Sequence, residues 1–201
     1  MRMTSEIAKA LYGYLDGRKT EEPVRRFLTD FSWPDVERPV APAHLKVVDG
    51  LSGVSPPGGE AERALLGTLA KAASFLDWRQ TYGISDFSQE FLDNYGWVEI
   101  FGTRGHYQSD TMAGGFLMLG PHTIYPDHHH IAEEIYIPLT EHSLWSMNAA
   151  PFQFRMAGEI IHHPSEIWHA MRTADRPMVA LYLWRGGPLD QKSTIVERGI
   201  S

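Results

Sequence analysis

The sequence predicts a mainly β fold with a helical N-terminal part. Residues 1–95 place apolar side chains at helical spacing between residues that cap or end helices. From Trp97 onward, short runs rich in β-branched and aromatic residues are separated by Gly, Pro, Asn and Asp, which is typical of an antiparallel sandwich or barrel. We therefore expect residues 1–95 to form a helical region that packs on a β-barrel of residues 96–201.

The predicted N-terminal region contains four helices. Ser5 is suited to cap a first helix that ends at Gly17, and Thr20 to cap a second that carries Pro23 in its first turn. A Pro/Gly-rich connector over residues 51–59 follows. The remaining helices are expected over residues 60–78 and over residues 88–94, with Gly96 as the end of the last one.

The predicted strands are short and lie in the C-terminal half. They alternate with turn residues at close spacing, which favours an antiparallel arrangement. The runs that predict them are residues 98–101, 116–119, 134–137, 152–155, 159–161 and 179–184.

The composition of the 201-residue chain is that of a globular protein with its own core, since 43% of its residues are hydrophobic and 21% are charged. The chain has no cysteine, which excludes disulfides, thiolate metal sites and cysteine nucleophiles. A net charge of −7 without any Lys/Arg run argues against nucleic-acid binding. Because no apolar run approaches the roughly 18 residues of a membrane span and no signal peptide is evident, we expect a cytoplasmic protein without membrane segments.

Histidines are concentrated in one segment: eight of the ten lie from His122 to His169. His128, His130, Glu134 and Tyr136 share even parity, so on one pleated strand they would project to the same face. If the strand breaks between His130 and Glu134, the parity applies only within each half. Imidazole nitrogen and carboxylate oxygen suit a divalent transition metal, and His169 is the best candidate for a further ligand.

The other histidines of this segment are expected outside the site. His129 has the wrong parity and should face outward or support the ligands from behind. His122, His142, His162 and His163 are interpreted as structural or surface residues, with His163 kept as a reserve ligand.

These residues resemble the two motifs of the cupin superfamily. His128-x-His130-x3-Glu134 matches the ligand part of the first motif, and Gly158, Pro164 and His169 match the second at the right spacing. Four positions where the family has glycine or asparagine differ. They are His122, Glu141, Glu166 and Thr173. The resemblance implies a double-stranded β-helix barrel whose ligand residues follow the family more closely than its turns.

A Tyr-x-x-His-x-His-x3-Glu-x-Tyr run, a helical N-terminal half and a late aromatic strand give a narrower resemblance. The chain is similar over nearly its whole length to the Q-type dimethylsulfoniopropionate (DMSP) lyases. In that family the metal ligands carried onto this sequence are His130, Glu134, Tyr136 and His169. His128 is then a neighbouring active-site residue, whereas the general cupin pattern makes it a ligand, and this choice stays open.

The resemblance implies β-elimination of DMSP to acrylate and dimethyl sulfide. One divalent metal, zinc or iron first and then manganese, cobalt or nickel, would hold the substrate carboxylate. Tyr136 would be the base, with Tyr125 as the second candidate for base or proton carrier and as a substrate contact. Trp184 would hold the sulfonium by cation–π attraction.

Two other functions fit the same motifs. One is another cupin metalloenzyme, such as a dioxygenase or an isomerase, and the other is a non-catalytic cupin that binds a small ligand. The chain is expected to be a monomer or a homodimer, and its N-terminal helices to cover a face of the barrel or to form a dimer surface.

Overall fold

The fold consists of two β-sheets that enclose one interior, with helices against the outer face of the larger sheet. The computed structural model describes residues 2–54, 59–141 and 143–196. The α-helices are α1 (Met3–Asp16), α2 (Val24–Leu28), α3 (Glu60–Ala72) and α4 (Gln89–Asp93), and 3₁₀ helices cover Lys46–Gly53 and Ala73–Phe75.

The β-strands all lie after residue 94 and form two sheets. In chain order they are β1 (Tyr95–Gly102), β2 (Tyr107–Gln108), β3 (Met112–Leu119), β4 (Ile124–His129), β5 (Glu133–Pro138), β6 (Ser143–Met147), β7 (Gln153–Arg155), β8 (Ile161–His163), β9 (His169–Thr173), β10 (Met178–Arg185) and β11 (Thr194–Ile195). The larger sheet has the order β2-β1-β3-β10-β5-β8, and the smaller has the order β11-β4-β9-β6-β7.

The larger sheet is buried on both faces, and alternation along β1 shows how. Val98 and Ile100 pack in the cluster that includes the apolar sides of α1 and α3. Tyr95 and Trp97 point the other way, into the cluster between the two sheets. Since successive strand residues face opposite sides, one strand contributes to both cores. The helices therefore cover the barrel, which is one of the two roles expected for them.

The predicted fold class, a cupin barrel preceded by α-helices, is confirmed by this two-sheet arrangement. Five of the six predicted strands correspond to observed strands, whereas the predicted strand over residues 159–161 meets β8 only at Ile161. The first helix ends at Gly17 as predicted. Within the described ranges, the helices are too short or too polar to cross a bilayer.

Several helix boundaries were predicted wrongly. α1 starts at Met3, so Ser5 lies inside it and is no cap. Thr20 does not cap α2, which starts only at Val24, because a residue that precedes proline disfavours helical geometry and Glu22 precedes Pro23. Of the predicted connector, residues 55–58 lie outside the described residues.

The later helix ends were also predicted wrongly, for packing reasons. α3 stops at Ala72 because the chain turns to bury Trp78, whose indole N–H donates to the Ala73 carbonyl at 3.1 Å. Gly96 does not end α4 but lies inside β1, where an added Cβ would come within 2.8 Å of Leu45. The glycine therefore serves close packing and not helix termination.

Candidate metal centre

The strands of both sheets bring the predicted ligands to one end of the interior. β4 ends at His129 and β5 begins at Glu133, so the argument that residues of even number share one face applies only within each strand. β4 and β9 place His128 opposite His169 in register. β5 carries Glu134 and Tyr136, and Glu134 lies opposite Trp184 of β10 on one side and opposite His163 of β8 on the other.

His130, Glu134 and His169 form a compact buried group. The Oε2 atom of Glu134 lies 3.1 Å from His130 Nε2 and 3.3 Å from His169 Nε2. One ligand atom from each of the three residues lies within 4.8 Å of the others. All three side chains are almost completely buried. This spacing allows one ion to contact all three.

Backbone carbonyls orient the imidazoles of this group. The Nδ1 atom of His130 lies 2.8 Å from the Ala132 carbonyl oxygen, and that of His169 lies 2.9 Å from the Ile167 carbonyl oxygen. A carbonyl only accepts hydrogen bonds, so each Nδ1 carries a proton, and Nε2 is the nitrogen that can offer a lone pair to a metal when the ring is neutral. Such a bond behind the ring fixes the tautomer that a metal ligand needs.

The residues fit a divalent transition metal. In the described part of the chain, the buried Nε2 of His169 has no hydrogen-bond partner. A buried polar atom without a partner is costly unless something else satisfies it. Two imidazole Nε2 atoms and one carboxylate are directed at the same point, and this donor set, which a metal binds after displacing any Nε2 proton, suits zinc, iron or related ions. His130, Glu134 and His169 would hold the ion.

The charge of Glu134 is favoured by its neighbours despite its burial. Burial alone would raise the pKa of this carboxyl, but His130, through its charge and hydrogen bond, and His163 and His169 hold it well below its ordinary value. Burial conversely lowers the pKa of His130, yet Glu134 outweighs this and the net direction is upward. The directions of both pKa shifts favour a Glu134 carboxylate that stays negatively charged.

His128 and Tyr136 border the group, as expected for the two competing fourth ligands. The His128 ring lies 4.1 Å from that of His169, centroid to centroid, and its Nδ1 is 2.8 Å from the Pro126 carbonyl oxygen. Tyr136 is buried beside Glu134, and its pKa is raised well above the ordinary value by burial first and then by that carboxylate. Their roles as ligand or base stay predictions.

His163, interpreted as a structural or surface residue and kept as a reserve ligand, is buried beside the metal group. It is 1% exposed, its ring stacks on His169 at 4.0 Å, and its Nδ1 lies 3.6 Å from Glu134 Oε2. Within the described residues neither of its ring nitrogens has a hydrogen-bond partner. Burial lowers its pKa to about 3, so the ring is neutral. The adjacent His162 is instead half-buried and contacts Glu133, and His142 lies outside the described residues.

Tyr125 belongs to a group of tyrosines beside the metal group. Its ring stacks on His128 with centroids 4.0 Å apart, and its hydroxyl lies 2.8 Å from that of Tyr82. Burial, followed by the neighbouring Tyr95 and Tyr82, raises its pKa well above the ordinary value. Tyr82 and Tyr95 were not predicted as site residues, because they come from segments without a recognisable motif.

Trp184 contacts the metal group directly. Its indole N–H donates to Glu134 Oε1 at 2.6 Å, and its ring lies 4.0 Å from that of His130. The hydrogen bond fixes the carboxylate oxygen that does not face the histidines. Trp184 therefore positions Glu134, a role that was not predicted, while its predicted contact with substrate stays a prediction.

A cavity opens from the metal group along the interior of the larger sheet. Its lining is rich in aromatic side chains and includes two buried carboxylates, Glu134 at one end and Glu99 of β1 at the other. Tyr125, Tyr136 and Trp184 line the space between. An apolar, aromatic pocket with a few polar groups is typical of a site for a small organic molecule.

Comparison with known proteins gives consistent matches. A family model described as dimethylsulfoniopropionate lyase matches residues 26–180. The dimethylsulfoniopropionate lyase DddQ of Ruegeria pomeroyi is 35% identical over 123 residues, and the putative lyase DddL of Cereibacter sphaeroides is 32% identical over 120 residues. These alignments cover 61% and 59% of this chain, and 61% and 49% of the two relatives' own lengths.

Solved structures match over more of the chain. The crystal structure of DMSP lyase DddQ from Ruegeria pomeroyi superimposes with a TM-score of 0.82 at 28% identity and covers 94% of this chain and 95% of its own. A chain from the crystal structures of the DMSP lyases RdDddP and RnDddQII gives a TM-score of 0.85 at 25% identity, with 97% and 98% covered. The resemblance therefore extends beyond the motifs to the helical region and the barrel together.

Proposed function

The chain belongs to the dimethylsulfoniopropionate lyase family, and from this we propose that it is a metal-dependent lyase that cleaves DMSP to acrylate and dimethyl sulfide. The observation that carries the proposal is the buried group of His130, Glu134 and His169 at one end of an aromatic cavity. DMSP is a zwitterion with a carboxylate and a sulfonium, and the cavity offers a cation site at one end and aromatic faces beyond it.

The reaction removes an α-proton, forms the C=C bond and breaks the bond between the β-carbon and sulfur, whose electron pair leaves with dimethyl sulfide. When bound, a divalent ion supplies Lewis acidity to the substrate carboxylate and favours the phenolate of a nearby tyrosine. His130, Glu134 and His169 would hold that ion, with Tyr136 or His128 as the fourth ligand. All these side chains are buried, which limits the access of water to the reacting atoms.

We assign the base role to Tyr136. Its side chain borders Glu134 and lines the cavity, which supports a position within reach of the α-carbon of a substrate held at the metal end. A general base must be within hydrogen-bond reach of the proton it removes. Tyr125 remains the second candidate, because it lines the same cavity and could pass the proton to Tyr82 through their short hydroxyl contact.

The aromatic rings of the cavity would hold the sulfonium without attacking it. Trp184 presents its ring face beside His130 and is the predicted contact. Cation–π attraction is worth about 2 kcal/mol when the cation is desolvated. The absence of cysteine from the chain removes the strongest nucleophile that could accept a methyl group.

Headspace detection of dimethyl sulfide tests the proposal. Purified protein is given DMSP before and after treatment with a chelator, and again after zinc, iron or manganese is added back. We expect release that stops on chelation and returns with metal. No dimethyl sulfide from metal-loaded protein would overturn the activity. Unchanged release from protein shown to be metal-free would overturn the metal dependence. Oxygen uptake in the same vessel would favour the dioxygenase alternative.

A further inference from the structure

Glu99 is a buried carboxylate that the proposed reaction does not yet use. It lies on β1, shares inward parity with Tyr95 and Trp97, and is 3% exposed. Its side chain lines the same cavity as Glu134. A charged group is rarely buried without a partner of opposite charge, so its surroundings need an explanation.

The partners of Glu99 leave one oxygen unsatisfied. Oε1 accepts a hydrogen bond from the backbone N–H of Arg104 at 2.6 Å. Across the described residues, Oε2 has no hydrogen-bond partner. The nearest cation, Arg104, keeps its Nη2 3.7 Å from Oε2, which is longer than the roughly 2.7–2.9 Å of a charge-assisted hydrogen bond.

The guanidinium of Arg104 is engaged elsewhere. It stacks 4.7 Å from the centre of the Trp97 ring, donates to the Leu189 carbonyl oxygen at 3.2 Å, and is about a third exposed. Burial, the largest influence, raises the pKa of Glu99, and the backbone and charge of Arg104, the backbone of Gly105 and the charge of Arg79 only partly oppose this. The carboxylate therefore has room and electrostatic need for a second cation on its cavity side.

The sheet register places Glu99 across the cavity from the metal end. Glu99 pairs with Gly115 of β3, Gly115 pairs with Tyr182 of β10, and Tyr182 pairs with Tyr136 of β5. Three strand spacings amount to about 14 Å on a flat sheet, and both side chains point inward and shorten that gap. Tyr182 lies close enough to both carboxylates to be affected by them. Burial raises its pKa most, and Glu99 and Glu134 raise it further.

We propose that Glu99 is the counter-ion of an onium subsite, which binds the sulfonium or a quaternary ammonium group of a small zwitterion whose carboxylate lies at the metal end. The rings of Trp97, Tyr182 and Trp184 form the walls of this subsite. The inference rests on the proposed function for the orientation of the substrate. It adds that the enzyme recognises the charge of the onium group and not only its shape.

Two isosteric ligands separate charge from shape. 3-(Trimethylammonio)propionate carries the positive charge, and 4,4-dimethylpentanoate has the same shape without it. Their dissociation constants are measured by calorimetry on the metal-loaded protein, its Glu99→Gln and Glu99→Asp variants, and Glu90→Gln as an exposed charge-matched control. For wild type we expect the zwitterionic 3-(trimethylammonio)propionate to bind about tenfold tighter than 4,4-dimethylpentanoate, which lacks the positive charge; this is the lower end of the coupling measured for close charge pairs.

In Glu99→Gln this preference should disappear, while the affinity for 4,4-dimethylpentanoate should change less than about twofold. Glu99→Asp should keep part of the preference, and Glu90→Gln should match wild type. Equal weakening of both ligands in Glu99→Gln would show a structural role and overturn the proposal. If Glu99→Gln does not fold, the wild-type ratio decides, because equal binding of the two ligands by wild type also overturns it.

The failure of this inference is distinct from failure of the proposed function. Calorimetry needs no turnover, whereas the activity is read from dimethyl sulfide. Protein that releases no dimethyl sulfide but shows a Glu99-dependent preference for the cation would keep the onium subsite and lose the lyase. Protein that releases dimethyl sulfide but binds both ligands equally would keep the lyase and lose the subsite.

Discussion

The two buried carboxylates of the cavity, Glu134 and Glu99, have opposite electrostatic surroundings. Both lose solvation on burial, which raises a carboxyl pKa. At Glu134 the surrounding histidines outweigh burial and the pKa falls well below its ordinary value. At Glu99 the backbone groups of Arg104 and Gly105 and the charges of Arg104 and Arg79 do not outweigh it, and the pKa rises.

This difference indicates what each end can bind. The metal end has its nitrogen donors, its carboxylate and the carbonyls behind the rings already in place, so it is organised for an ion held by several short bonds. The Glu99 end has charge and aromatic faces but few donors, so it suits a bulky, weakly hydrated cation. A zwitterion is thus expected to lie along the cavity in one direction.

Breaking the metal end should have the largest effect. Glu134→Gln removes the charge at the centre of the group while keeping the volume. We expect loss of bound metal and a fall in DMSP turnover of about 10³-fold or more, because Lewis-acid stabilisation contributes several kcal/mol. Metal content by mass spectrometry and headspace dimethyl sulfide measure the two effects, with Glu90→Gln as control. A metal-free variant with wild-type turnover would contradict this prediction.

Tyr136 lies beside the metal group, and its replacement is expected to lower the rate of DMSP cleavage without releasing the metal. Tyr136→Phe should lower turnover by about 10²–10⁴-fold, the usual contribution of general-base catalysis, while most of the metal stays bound. The rate of wild type should also rise from neutral to mildly alkaline pH if a phenolate is the base. Both are read from dimethyl sulfide release by protein of known metal content.

Tyr125→Phe is the matched comparison for this variant, since it removes a hydroxyl from the other tyrosine of the cavity. A large loss in Tyr125→Phe together with near-normal turnover in Tyr136→Phe would transfer the base role to Tyr125. Loss of metal in Tyr136→Phe would instead favour Tyr136, and not His128, as the fourth metal ligand.

The metal end could be predicted from the sequence and the Glu99 end could not, for a physical reason. The candidate ligands His128, His130 and Glu134 are close in sequence, and local spacing restricts where they point. Glu99 lies in an apolar run that predicts only a strand, and its partner Arg104 depends on the turn after β1. Contacts that depend on sheet register and on the far strands have no local signal.

His163 shows the same limit. The second cupin motif identifies His169 but gives no role to the residue before Pro164. Only the pairing of β8 with β5 sets His163 opposite Glu134. Strands β2, β4, β6, β9 and β11 were not among the predicted apolar runs. In β4 and β9, polar histidine and aspartate residues replace the apolar alternation that indicates a strand. In these two strands, residues of the candidate site occupy positions where apolar residues would otherwise indicate a strand.

The smallest expected effect compares the acid response of the two ends in metal-free protein. His163 has a pKa of about 3 when folded, against about 6.5 for a free histidine. Between these values the unfolded chain binds more protons, so the free energy of unfolding falls as pH decreases from 6.5. His163→Leu should remove roughly 2 kcal/mol of that fall between pH 6.5 and 4.5.

Glu99, whose folded pKa is raised, affects the pH dependence of stability in the opposite direction, because the folded state takes up its proton at higher pH than the unfolded chain. Glu99→Gln should therefore make the acid loss steeper. Urea unfolding at the two pH values measures both slopes, and equal slopes in the two variants would mean that the ends do not differ in the way their carboxylates and histidines indicate.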